Sequence, residues 1–255
     1  MKFLFLALAT LLISQTLLAF DHSHAKFAEI LSASVVKKGP LSQVNYEWFK
    51  QNPKKLEAYL KDLEAVKLGH IQKWSKDQKI AFFINAYNAY TIKLVMSEYP
   101  VDSIKDIGGF FASPWKMGFF NLIDKVHSLD QIEHEYLRFK YKEPRIHFAI
   151  VCASISCPGL SDKPYLAAFL DDQLNAAKIE FLKDTSRNRY DAKTKTLYLS
   201  KIFDWFAVDF VKAAGPIKAY VADSIGTSPE ESREILSAQV KIEYLDYDWS
   251  LNKVK

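Results

Sequence analysis

Cys152 and Cys157 are the only cysteines, and they stand five positions apart in "IHFAIVCASISCPGL", residues 146–160. An apolar, β-branched run ends at Cys152, and small or polar residues follow through Ser154, Ser156, Pro158 and Gly159. Nucleophiles often sit where a strand stops and backbone N–H groups are left free. Such groups lower a thiol pKa and bind a developing oxyanion. The same two residues also fit a disulfide, a redox pair or two small buried hydrophobes. A C-x4-C loop is not the usual CxxC redox motif. With neither a CxxC pair nor a neighbouring HxxxH, a metal site would need distant ligands, so no metal and no cofactor is expected.

A nucleophilic thiol needs a base. If residues 145–151 form a buried strand, side chains alternate along it, and His147 points away from the face that carries Cys152. His134 is then the better imidazole. It lies in "SLDQIEHEYLRF", where Ser128 and Gln131 form a capping box and Leu129, Ile132 and Tyr136 make an apolar arc. Glu133 falls on that arc, and a core-facing carboxylate must be paired or carry a raised pKa. Catalysis by this set would use Cys152 as nucleophile, His134 as base and Glu133 as its orienting group. The N–H groups of residues 153 and 154 would hold the oxyanion. The plainer reading of Glu133–His134 is a surface pair with one buried hydrogen bond.

The elements that must position these groups follow from periodicity and breakers. Ser75 opens a strong helix in "SKDQKIAFFINAYNAYTIKLVMSEYP", with Pro100 beyond its end. Ile80, Phe83, Ile84, Tyr87, Thr91 and Val95 share one face. Asn88 intrudes on that face and Asn85 sits at its edge, so their amides need partners. The 101–121 loop is one segment they would brace, and a catalytic imidazole is the alternative. Residues 23–68 read as charged helices, 188–200 as a β-hairpin, 201–237 as further helices and 240–252 as a final strand. The class is α+β, a helix-rich single domain over residues 20–255 around a small, mostly antiparallel sheet.

The chain has 255 residues and a formal net charge of +4 spread along its length, which points to neither nucleic acid nor an acidic partner. The first residues, "MKFLFLALATLLISQTLLAF", carry Lys2, an apolar run and small residues at the exit, the pattern of a secretory signal peptide cut after Ala19. An exported, periplasmic or secreted protein without a membrane span after cleavage is expected. Cleavage there would also put His22 third from a free amine, a copper-chelating geometry, beside the plainer reading of a solvated terminus.

Several segments together resemble the family called domain of unknown function 547. They are "WSKDQKIAFFINAYNAYTIKLV", "SIKDIGGFF", "SLDQIEHEYLR", "PRIHFAIVCASISCPGL", "NRYDAKTKTLYLSKIFDWFAVDF" and "YLDYDWSLN". The resemblance implies an exported bacterial protein and a relation to papain-like or transglutaminase-like thiol enzymes. The order would be permuted, since both histidines precede the cysteine. It carries functional weight to Asn85, Asn88, Glu133, His134, His147, Cys152 and Ser154. It also favours Cys152 over Cys157 as the working sulfur. The expected function is a thiol hydrolase or acyltransferase on amide or thioester bonds, taking a peptide, amide or small-molecule ligand. The alternatives are a binding or scaffold module with a degenerate site, and a redox-active Cys152/Cys157 pair.

Overall fold

Ser75 opens the element around which the first half of the molecule is built. In the computed structural model, which describes residues 20–109 and 112–254, the Ser75 hydroxyl accepts from the N–H of Gln78, and the Gln78 side chain returns to the N–H of Ser75. The helix Lys76–Glu98 follows. It is buried on nearly all sides from Ile80 to Val95, whereas the sequence predicts a single apolar face. The reason is its central position. It packs against the helix Pro53–Glu64 and against the segments that carry Glu133 and Tyr165, and a helix covered all round loses its amphipathic stripe. The expected signal segment, residues 1–19, lies outside the described residues.

Two hydrophobic cores result. The first gathers side chains from Phe27 to Leu174, together with Leu251. The second gathers Phe148 with residues from Phe181 to Val240. Its framework is a three-stranded sheet in which Arg189–Asp191 pairs antiparallel with Thr196–Leu199, which pairs parallel with Lys241–Tyr244. The helices Ala207–Ala214, Ile217–Ile225 and Pro229–Ile235 cover it. Two further antiparallel hairpins, Val35–Lys38 with Leu41–Val44 and Phe120–Leu122 with Lys125–His127, complete an α+β fold that is mostly helix. In the first of these, Gly39 and Pro40 turn the chain inside the stretch 23–68, which the sequence reads as charged helices. The final strand stops at Tyr244, and residues 245–254 leave the sheet to cross back to the first core.

The expected strand at 145–151 does not form. Pro144–Phe148 is a 3-10 turn, with the Glu143 side chain accepting from the N–H of Arg145 at its start. A short apolar run cannot by itself separate a buried strand from a buried turn of helix. Here no neighbouring strand offers a ladder. Instead Asn88 donates its amide to the Ala149 carbonyl at 2.9 Å and accepts from the Val151 N–H at 3.0 Å. With three residues per turn, Ile146 and Ala149 face the first core while Phe148 enters the second. The seam between the cores therefore runs through the segment that leads to Cys152.

Candidate active site

A cleft of about 240 Å³ lies on that seam. Its walls include Cys152, Cys157, Glu133, His134 and His147, with Tyr87 and Ile150 from the first core and Ile202 and Phe206 from the second side. Cys152, Glu133 and His134, which the sequence separates by almost twenty positions, are thus brought to one cavity. His147 joins them because it sits on a 3-10 turn, where the alternation that would turn it away does not operate.

Both cysteines are free. Their sulfurs stand 2.8 Å apart, beyond the roughly 2.05 Å of a disulfide. The Cys152 Sγ also lies 3.1 Å from Ser154 Oγ and 3.2 Å from the Tyr247 hydroxyl. The Cys152 N–H donates to Cys157 Sγ at 2.8 Å. Burial alone pushes a thiol pKa up, but hydrogen bonding with Cys157, Ser154 and Tyr247 outweighs it and holds Cys152 below the ordinary thiol value. Burial and the neighbouring Cys152 push Cys157 well above it. The pair therefore divides into a sulfur that favours the thiolate and a sulfur that keeps its proton.

Ala153, the next residue, has φ 59°, a left-handed backbone that a non-glycine residue adopts at a cost of order 1 kcal/mol. It is held there by Asn252, whose N–H donates to the Ala153 carbonyl at 3.0 Å. Ile155 and Ser156 donate their N–H groups to Ser250 and Asp248, and the buried Arg187 donates to the Ile155 carbonyl at 2.6 Å. The 245–254 segment thus straps the cysteine turn from outside and delivers Tyr247 to the thiol.

The two imidazoles differ in what their nitrogens are doing. Arg138 donates to His134 Nδ1 at 2.7 Å, and a guanidinium has only donors to give. His134 Nε2 lies 3.3 Å from Asp130. Both ring nitrogens of His134 are therefore taken, and burial lowers its pKa. His147 Nε2 lies 2.8 Å from Asp209 Oδ2, so this nitrogen carries the proton and donates it to the carboxylate. Asp209 is held in turn by Arg138 at 2.6 Å. Against the burial that would raise it, the bonds from His147 and Arg138 keep the Asp209 carboxyl far below the usual range. The His147 ring stacks on Phe206 at 4.0 Å, and burial lowers its pKa, so it is neutral. Its Nδ1 is buried, has no hydrogen-bond partner, and stands 3.9 Å from Glu133 Oε1.

Glu133 and His134 lie on Ile132–Arg138, where the helix that begins at Leu129–Gln131 widens to π geometry. Such widened turns recur at functional sites. Glu133 is largely buried, and burial raises its pKa to about 7 despite the nearby Arg138. Its closest imidazole is His147, where the sequence reading has it orienting His134. Asn85 clasps the backbone of Tyr165 at 2.8 and 2.9 Å, and Asn88 clasps 149–151. Both act as braces, and among the described residues their amide bonds go to these two segments rather than to the 101–121 loop that the sequence reading has them brace. His22 packs edge-on against Trp74. Among the described residues no group of three or more His, Cys, Asp or Glu side chains is arranged to hold a metal ion, and no helix is long and apolar enough to cross a membrane.

Sequence reasoning missed Asp209, Arg138, Tyr247 and the tryptophans of the rim. A lone carboxylate inside "WFAVDFV" is the signal that could have found Asp209. Nothing local marks Tyr247, which acts on a residue 95 positions away.

Residues 71–182 match the model of the family described as "Protein of unknown function, DUF547". That span includes Asn85, Asn88, Glu133, His134, His147 and both cysteines, and stops short of Asp209 and Tyr247. No curated protein and no solved structure matches the chain.

Proposed function

We propose that the protein is a thiol-dependent hydrolase or acyltransferase acting on amide or thioester bonds, with Cys152 as nucleophile. The observation that carries this reading is one cleft lined both by the Cys152 thiol, in hydrogen-bond reach of Cys157, Ser154 and Tyr247, and by the buried His147, whose Nε2 is held by Asp209 and whose Nδ1 is unpartnered. His147 takes the role that sequence spacing assigns to His134, because its free nitrogen has a lone pair to offer.

In this mechanism the Cys152 proton passes to His147 Nδ1, and Asp209 and Glu133 steady the imidazolium. The thiolate, which the Ser154 N–H also steadies, attacks the carbonyl carbon, and the oxyanion rests on the N–H group of Ala153. His147 returns the proton to the leaving amine or thiol as the carbonyl–heteroatom bond breaks, leaving an acyl thioester on Cys152. Water, or a second amine in a transferase, gives its proton to His147 and attacks this thioester. Cys152 then departs as the thiolate, into the donors that stabilise it. The same reading takes the protein as exported, which recovery of a native chain beginning at Phe20 would support and an intact Met1 would oppose.

The test is to incubate the protein with amino-acid p-nitroanilides and with acyl-pantetheine thioesters and to follow adducts at Cys152 by mass spectrometry. An acyl adduct that turns over is expected. His147→Asn is expected to lower turnover by about 10²–10⁴, the usual share of general acid–base catalysis, and His134→Asn far less. The catalytic reading fails if no donor acylates Cys152 and iodoacetamide alkylates it no faster than a model thiol. A binding module would then be the better description. A second reading is favoured by the 2.8 Å between the sulfurs. Hydrogen peroxide would take two electrons and two protons from the pair, giving a disulfide and two waters. A disulfide that resists formation under mild peroxide would exclude it.

A further inference from the structure

Resting on the cleft as the substrate site, we infer that its substrates carry an ammonium or other small cationic group close to the bond that reacts. The first ground is charge. The lining holds two carboxyl groups, Asp130 and Glu133, of which Glu133 is fully charged only above about pH 7, and no lysine or arginine. The neighbouring guanidinium of Arg138 is already spent on Asp209 and His134. Burial lowers the pKa of both histidines of the lining, and Asp209 is offset by Arg138, so among the described residues the one cation at the walls is the Lys105 ammonium over the ring of Trp249, away in sequence from Asp130 and Glu133. An acidic cavity beside a thiolate concentrates cations and repels carboxylates.

The second ground is the rim. Trp115, Trp205, Tyr247 and Trp249 crowd together at the cleft, with ring centroids 4.6 to 5.7 Å apart. Trp205 is 46% exposed, unusual for so large an apolar side chain. Aromatic faces attract cations through their quadrupoles, and tryptophan does so best. The rim already does this once: Lys105 Nζ stands 4.0 Å from the centre of the Trp249 ring. The third ground is the unpartnered Nδ1 of the buried His147. It marks the chemical end of the cleft, so the carboxylates and the rings surround the place where the bond would lie. The three together describe a box for a cation: carboxylates on one wall, indole faces on another and a nucleophile at the bottom. An amide or thioester of an amine-bearing acyl group fits it, and so does a primary amine as the acceptor of the acyl group.

The experiment reads charge preference through Cys152 itself and needs no turnover. The whole protein is treated with trimethylammonioethyl, sulfonatoethyl and methyl methanethiosulfonate. In each the thiolate attacks the sulfenyl sulfur, forming a mixed disulfide and releasing methanesulfinate. Rates at Cys152 are followed by peptide mass and divided by those of a model thiol. The cationic reagent is expected to outpace the anionic one by about tenfold or more over the model-thiol ratio, as a carboxylate at close range in a half-buried site requires. Asp130→Asn and Glu133→Gln should each reduce that preference. A ratio equal to the model thiol's, or reversed, overturns the inference, as does a preference that survives in both variants. The two readings fail separately. A fast neutral reagent without charge preference leaves the nucleophile standing and removes the cation. A slow neutral reagent with strong charge preference does the opposite.

Discussion

At the scale of single residues, the reactivity of Cys152 is made by its neighbours. The Tyr247 hydroxyl lies 3.2 Å from the sulfur, and a hydroxyl that donates to the thiolate lowers the pKa of the acid that forms it. Tyr247→Phe removes one of three donors, so the pH midpoint of Cys152 alkylation is expected to rise by about one unit, read from iodoacetamide rates against pH. Glu133 gives a prediction of opposite character. Its carboxyl is raised from 4.5 to about 7 in the folded protein, chiefly by burial. The folded state therefore holds this proton more tightly than the unfolded chain. The stability it confers is complete below about pH 4.5 and is lost as pH rises through about 7. Glutamine copies the protonated acid and has nothing to lose. Glu133→Gln should match the parent near about pH 4 and exceed it by on the order of 2 kcal/mol near about pH 8, measured by urea unfolding at each pH.

At the scale of elements, what was legible in the sequence was what local rules determine. The Ser75 and Ser128 capping boxes mark their helix starts, and residues 188–200 form the hairpin that the sequence predicts. The π widening over Ile132–Arg138 and the 3-10 turn at Pro144–Phe148 were not legible, because each is fixed by partners distant in the chain. The Asn88 amide supplies the bonds a strand would have sought, and so decides between strand and turn. Its effect on the site is tested by Asn88→Leu. Loss of the amide strands the Ala149 carbonyl and the Val151 N–H, both deep in the first core. We expect about 2–4 kcal/mol of destabilisation by chemical unfolding and faster hydrogen exchange at Val151. Unchanged exchange there would mean that the brace is dispensable. The candidate site was legible in the same partial way. Cys152, Glu133 and both histidines were named from spacing, but the pairing of His147 with Asp209 depends on two elements 62 positions apart.

At the scale of the whole molecule, the cleft exists because two cores meet along one seam. Phe148 belongs to one core while Ile146 and Ala149 belong to the other, and the cysteine turn emerges between them. Residues 245–254 then tie the halves together. Leu251 is buried in the first core, its N–H donates to the Asp102 carbonyl, and the Asn252 side chain accepts from the Tyr46 hydroxyl. Leu251→Ala should cost about 2–4 kcal/mol in chemical unfolding, as a large-to-small core change does. It should also raise the alkylation midpoint of Cys152, because Tyr247 rides on the same strap. A stability loss with no change in thiol titration would mean that Tyr247 is held by the aromatic rim alone.

That strap has a consequence for the order of biosynthesis. The ribosome makes Cys152 95 residues before Tyr247. Throughout that interval the nascent thiol lacks the phenol that acidifies it, and the backbone of Ala153 lacks the Asn252 amide that holds its left-handed turn. A growing chain therefore carries an ordinary, sluggish sulfhydryl, slow to meet oxidants or stray acyl donors. Its reactive form arises only when the late-made segment docks, so chemical competence comes as one of the last acts of folding.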